Sequence, residues 1–163
     1  MSQSHQSAHA KRASADRARR TPTLAIGLPV YNGERYLRQA LDSLLEQSFT
    51  DYELVILDNA STDGTAAIAL EYGARDGRIR YHRNAENIGA ARNFNLAFEL
   101  TSGRYFKWAA DDDLMQPSFL ERCVAALERD PEAVLAYPRA TIIDGRQSPK
   151  MSRPSSITAR SSV

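Results

Sequence analysis

The chain has 163 residues, 42% of them hydrophobic and 25% charged, with a net charge of +1. That length fits one domain with little room for a second, and the composition is ordinary for a globular protein. The single cysteine, Cys123, excludes an internal disulfide, and no apolar run approaches the roughly 18 to 20 residues that span a bilayer.

In chain order, residues 1–20 carry five basic groups against Asp16 alone. Residues 1–22 hold almost no large apolar side chain, so they cannot offset the entropy of ordering and are expected to form a disordered basic tail. No apolar stretch follows the basic residues, so a secretory signal peptide is not expected and the cytoplasm is the default compartment.

Leu24 to Val30 predicts a buried strand, and Glu34 to Gln47 a helix, because Leu37, Ala40, Leu41, Leu44 and Leu45 recur at spacings of three and four. Glu53 to Asp58 predicts a second strand buried on both faces. A helix follows from Asp63 to about Arg75, with Ser61 or Thr62 as its cap. Arg78–His82 predicts a third strand, Ile88–Leu100 a third helix and Arg104–Ala109 a fourth strand. Pro117–Arg129 predicts a helix with proline at its first turn, and Ala133–Ile143 a fifth strand.

Residues 145–163 carry four basic groups and no acid, and are expected to be a second disordered basic tail. The folded portion is then 23–144, and the stretch between the tails holds 12 basic and 19 acidic residues. A basic tail is drawn to an anionic surface by roughly 1 kcal/mol per residue. Peripheral membrane association is therefore compatible with the sequence, although a solvated tail accounts for the charge more simply. No nucleic-acid partner is expected.

Strand and helix alternating in this way imply an α/β fold: a doubly wound, mostly parallel sheet with helices on both faces. Such sheets bind ligands outside the carboxyl ends of their strands. Polar clusters occupy those places: Pro29-Val-Tyr-Asn-Gly-Glu34, Asp58-Asn-Ala-Ser-Thr-Asp-Gly64 and Asp111-Asp-Asp113. Three adjacent carboxylates repel one another unless a cation intervenes, and Mg²⁺ or Mn²⁺ prefers oxygen ligands. A solvated acidic turn is the competing explanation of that cluster. Asp58 can close a turn through its own side chain or accept a hydrogen bond from a ribose or base. Gly89 lets the backbone approach a ligand, and Arg92 can neutralise a diphosphate or simply be solvated.

Taken together, Pro29-Val-Tyr-Asn-Gly-Glu-Arg-Tyr-Leu37, Asp58-Asn-Ala-Ser-Thr-Asp-Gly-Thr65, Asn87-Ile-Gly-Ala-Ala-Arg-Asn93 and Asp111-Asp-Asp113 closely resemble the family 2 glycosyltransferases in order and interval. The resemblance covers about residues 23–143. It implies a GT-A fold and transfer of a sugar from a nucleotide-diphosphate sugar, with inversion at the anomeric carbon. By position, Pro29, Tyr31 and Glu34 lie beside the nucleotide, and Asp58 holds the base. Gly89 and Arg92 belong to the same nucleotide-sugar site. The acidic cluster corresponds to the family's DXD element, with Asp111 on the nucleotide sugar and Asp112 and Asp113 at the metal, Mg²⁺ or Mn²⁺. Ala110 stands where the family pattern has its first Asp, and a shifted register would pair Asp111 with Asp113 instead.

Family members continue for about another hundred residues that supply the acceptor site and the base. Here no acidic residue follows Asp144, so the base is expected to be absent and the sheet truncated after about its fifth strand. The competing expectation is a non-catalytic nucleotide-sugar-binding remnant. The resemblance further implies a glycan or lipid-linked acceptor, a role in polysaccharide biosynthesis and a place at the inner face of the cell membrane. An exposed apolar edge is expected to favour an oligomer or a complementing chain.

Overall fold

In a computed structural model of the chain, the described residues are 21–138, 140–143, 149–151 and 157–161. They form two compact units. One spans residues 21–45 and 50–114, the other 46–49 and the described residues from 115 onward.

The first unit is the α/β fold that the alternating pattern implies. Strands β1 (Leu24–Val30), β2 (Tyr52–Asp58), β3 (Ile79–Arg83) and β4 (Tyr105–Trp108) form one sheet in the order β3-β2-β1-β4, with every neighbouring pair parallel. Helices α1 (Leu37–Leu45), α2 (Thr65–Arg75) and α3 (Ala90–Glu99) make the crossovers. The path steps one way from β1 to β3 and then back across β1 to β4. Right-handed crossovers therefore place α1 and α2 on one face and α3 on the other. All seven residues of β1 are buried, as are six of β2, which is why both strands read as continuous apolar runs. Ile26, Leu28, Leu54, Ile56 and Leu57 are fully buried, each contributing about 1.5–3 kcal/mol.

Helix α1 starts three residues later than its periodicity predicts. The Tyr36 and Leu37 N–H groups both donate to Gly33 O, so Glu34–Tyr36 forms a turn. Among the described residues β4 is a sheet edge. Phe98, Phe106 and Trp108 pack edge-to-face there with centroids 4.9 and 4.8 Å apart, while Phe98 and Trp108 remain exposed.

The second unit contains α4 (Phe119–Arg129), β5 (Ala133–Pro138), β6 (Ile142–Ile143), β7 (Pro149–Met151) and β8 (Ile157–Ser161). The Gln47 side chain caps α4: its Oε1 accepts the Leu120 N–H at 2.9 Å and its Nε2 donates to Gln116 O at 2.8 Å. Helix α4 begins at Phe119, beyond Pro117.

The predicted fifth strand, 133–143, divides into β5 and β6. Neither joins the parallel sheet: β5 pairs antiparallel with β8, and β6 antiparallel with β7. Val134, Leu135 and Tyr137 are exposed, so β5 lacks the double-sided burial that a strand inside a parallel sheet requires. Strands β7 and β8 also fall within 145–163, where composition predicts a disordered tail; backbone pairing needs no apolar side chain. The rest of that segment, and residues 1–20, lie outside the described residues.

Candidate functional site

The strand ends converge as the topology demands. A cleft of about 370 Å³ opens at the carboxyl ends of β1, β2 and β4. Pro29, Val30 and Tyr31 line it from β1, Asn59 from β2, and Ala110, Asp111 and Asp112 from β4. Asn87, Ala90, Asn93 and Phe94 line it from the entrance to α3. Its apolar floor and few polar groups are typical of a small-molecule site.

Two loops are tied together beside it. Asn32 N–H donates to Ser61 Oγ at 2.9 Å, Gly33 N–H to Thr65 Oγ1 at 2.9 Å, and Thr62 N–H to Asn32 Oδ1 at 2.8 Å. Asn32 and Ala60 both sit at positive φ, 55° and 62°. Asparagine tolerates this, whereas alanine there stores about 1–2 kcal/mol of strain, held by the surrounding bonds. Of the predicted caps, Ser61 and Thr62 serve these ties. The N-terminus of α2 is served instead by Asp63 Oδ1, which accepts from Thr65 N–H and Oγ1–H, and by Glu34 Oε2, which takes the Gly64 N–H at 2.9 Å. Glu34 therefore places its charge at a helix N-terminus, where it is favourable. It does not line the cleft.

The cleft brings together Pro29, Tyr31, Asp111 and Asp112 of the predicted residues, but not Glu34, Asp58, Gly89, Arg92 or Asp113. Asp58 is fully buried. Its Oδ1 accepts the Ser61 N–H at 2.8 Å, and its Oδ2 accepts the Tyr81 hydroxyl at 2.7 Å and the Arg83 guanidinium at 3.1 Å. Parallel register explains the meeting: Asp58 pairs with Arg83, and Tyr81 lies two residues earlier on the same face. Gly89 has φ 84° and ψ 156°, which essentially only glycine adopts, and it forms the N-cap of α3. Arg92 is exposed on the first turn of that helix.

Asp111 leans over Gly33 so closely that a Cβ there would lie 2.5 Å from its Oδ2 and 2.5 Å from Val30 Cγ2. Glycine is required at position 33 by this contact. Burial pushes the Asp111 carboxyl above the usual carboxylate range. A hydrogen bond involving its own backbone opposes that rise, and the charges of Asp112, Asp113 and Asp63 add to it. Because the folded-state pKa is raised, ionised Asp111 costs the fold stability. That penalty is present above the folded pKa and relieved as pH falls through it. Asp111→Asn is therefore expected to raise the metal-free Tm at pH 7, with the gain shrinking as pH falls into the carboxylate range. Thermal melts across that range check this, and a lower Tm for the variant at pH 7 would contradict it.

Among the described residues no three His, Cys, Asp or Glu side chains gather as a metal-sized cluster. The acidic turn supplies two carboxylates to the cleft and no more.

Asn59, Asn87, Asn93 and Phe94 are cleft residues that motif and periodicity do not mark as ligand-binding, although the three asparagines stand within the polar motifs at 58–65 and 87–93. Asn93 carried a usable signal. It shares the sheet-facing stripe of α3 with Ala97, and a polar residue at such a position must have polar partners.

The glycosyl transferase family 2 model matches residues 25–161. An uncharacterized glycosyltransferase of Rickettsia typhi is 35% identical over 125 residues, covering 76% of this chain and 38% of the relative. The chain thus spans under two-fifths of that relative's length. Among solved structures, S. aureus TarS 1–349 in complex with UDP-GlcNAc matches with TM-score 0.62 and 25% identity, over 66% of this chain and 31% of that one. The mannosyltransferase PcManGT of Pyrobaculum calidifontis, in complex with GDP-Man and Mn²⁺, matches in fold with TM-score 0.65 and 21% identity, over 82% of this chain and 42% of that one.

Proposed function

Since the chain belongs to glycosyl transferase family 2, we propose that its cleft binds the nucleotide-diphosphate sugar of an inverting sugar transfer. The observation that carries this reading is the convergence of Tyr31, Asn59, Asp111 and Asp112 at the carboxyl ends of three parallel strands, with Asn87 facing them from the entrance to α3. Tyr31, half exposed on the rim, offers a ring on which a base can stack. Ala90 at the N-terminus of α3 lines the cleft, and a helix N-terminus favours the negative charge of a diphosphate.

Asp111 and Asp112 suit Mg²⁺ or Mn²⁺, since Mg²⁺ characteristically uses one or two carboxylates and completes its shell with substrate phosphates. Burial is the main cause of the raised pKa of Asp111, and the like charges of Asp112, Asp113 and Asp63 add to it; a bound cation offsets both. When bound, the ion neutralises charge on the departing diphosphate. The complexes of TarS with UDP-GlcNAc and of PcManGT with GDP-Man and Mn²⁺ support both parts of this reading.

In the transfer, an acceptor hydroxyl oxygen bonds to the anomeric carbon, the bond from that carbon to the diphosphate oxygen breaks, and the hydroxyl proton passes to a base. The residues described here hold and orient the donor. The acceptor is proposed to be a glycan or a lipid-linked saccharide at the cytoplasmic membrane face. No described helix is long and apolar enough to cross a membrane.

Calorimetry with UDP-, GDP- and dTDP-sugars, each with and without Mn²⁺, tests the donor site. At least one is expected to bind, and more tightly with the metal. Failure of all three to bind in either condition would overturn the reading.

A further inference from the structure

Four asparagines meet where β2, β3 and α3 converge. Asn59, Asn84 and Asn93 are buried, while Asn87 is exposed at the cleft. The oxygen and nitrogen of an amide side chain are nearly the same shape, so orientation must follow from the partners. Here three backbone groups, whose character cannot change, decide it. Leu57 C=O only accepts, so Asn93 turns its Nδ2 toward it at 3.1 Å. Asn93 Oδ1 is thereby left to accept from Asn84 Nδ2 at 2.8 Å. Ile88 N–H only donates, so Asn59 turns its Oδ1 toward it at 2.9 Å, and the same oxygen takes Asn84 Nδ2 at 3.0 Å.

Asn59 Nδ2 then donates to Asn87 Oδ1 at 2.8 Å, and that oxygen also accepts the Gly89 N–H at 2.9 Å. Both inward contacts of Asn87 are made by its oxygen. Its Nδ2 bonds to no described residue and is left for the cleft.

We propose that the buried asparagines lock the Asn87 amide with its two N–H donors facing the cleft, so that Asn87 selects a hydrogen-bond acceptor oxygen on the bound nucleotide. This rests on the donor-site reading. Asn87 is the binding residue, and Asn84 and Asn93 are positioning residues that act through it. Were the amide free to flip, it would accept from a ligand N–H as readily as donate to an oxygen, and the selection would vanish.

Two measurements on the purified chain test this. The first is side-chain amide exchange by ¹⁵N NMR without ligand. The NH₂ groups of Asn59, Asn84 and Asn93 should exchange slowly, and that of Asn87 rapidly. Protection of the Asn87 NH₂ in the free protein would overturn the lock.

The second is a double-mutant cycle on the affinity for UDP with Mn²⁺. Asn87→Ala is expected to weaken binding about tenfold, the usual order for one hydrogen bond to a charged or buried group. Asn84→Ala should weaken it comparably in the native background and hardly at all in the Asn87→Ala background. Equal losses in both backgrounds would show that Asn84 merely supports the fold, and would sink the proposal. Asn84→Ser, which keeps one donor, replaces Asn84→Ala if the latter does not fold. Uridine in place of UDP locates the oxygen. Loss on both ligands assigns it to the nucleoside and loss on UDP alone to the diphosphate, while loss on neither overturns the role of Asn87. If the native chain binds neither ligand, the cycle is run with GDP or dTDP, whichever nucleotide's sugar binds in the calorimetry above. If none binds, the donor-site reading fails and the selection falls with it, while amide exchange still decides the lock.

Discussion

Asp58→Ala is expected to destabilise the fold by about 3 kcal/mol, the order found when a buried, multiply bonded charge is removed. Asp58 is wholly buried, and its two oxygens serve three donors from two other segments. Truncation leaves the buried Ser61 N–H and the half-buried Tyr81 hydroxyl without their acceptor. Arg83 retains its 3.0 Å bond to Ser61 O and is 43% exposed, so water can serve it in part. Asp58→Asn should cost less, because its oxygen can still accept the Ser61 N–H while its nitrogen confronts the Arg83 donors. Urea unfolding with a shared m-value measures both variants. An Asp58→Ala midpoint equal to the native one would show that these bonds contribute nothing net. The same geometry bears on the base-holding role that the family resemblance implies for Asp58. To meet a base, its carboxylate must be released by Tyr81 or Arg83, so UDP affinity should rise when Arg83 is replaced by Ala and fall when Asp58 is.

The second large effect concerns the metal. Asp112→Ala is expected to reduce the Mn²⁺ enhancement of UDP binding by about 100-fold, at the upper end of losses seen when the surroundings of a metal ligand are disturbed. Asp113→Ala should leave it within about twofold, because Asp113 does not line the cleft and only screened charge is lost. Calorimetric titration of each variant at fixed Mn²⁺ separates the two. The reverse order would mean that the shifted register, with Asp111 and Asp113 as the pair, describes the bound state.

The pattern of what was legible follows from the range of the forces involved. Hydrophobic periodicity is a local property, so the strands at 24–30 and 52–58 and the helices at 37–45 and 90–99 emerge from it with small boundary errors. The α1 boundary moved because its first turn is closed by Gly33 O, a detail of backbone bonding that periodicity does not carry. The fifth strand misled for a related reason. Its residues have strand character, but pairing is chosen between strands, and Ala133–Pro138 pairs with Ile157–Ser161 rather than with the parallel sheet.

The candidate site divides in the same way. Its polar clusters could be placed at one sheet edge because strand order and crossover handedness constrain where strand ends go. Which side chains then face the cleft could not be read along the chain. Asp58 and Arg83 are 25 residues apart, as are Asn59 and Asn84, and each pair forms only once β2 and β3 lie side by side.

By itself, then, the sequence determined the α/β class, the family and the order of the polar clusters, because these depend on spacing and on the alternation of apolar segments. Tertiary structure alone decided that Asp58 turns inward, that Asp111 and Asp112 rather than Asp113 reach the cleft, and that Asn87 presents donors rather than an acceptor. A buried polar group must be satisfied by whatever neighbour the fold brings to it, and that neighbour comes from another element.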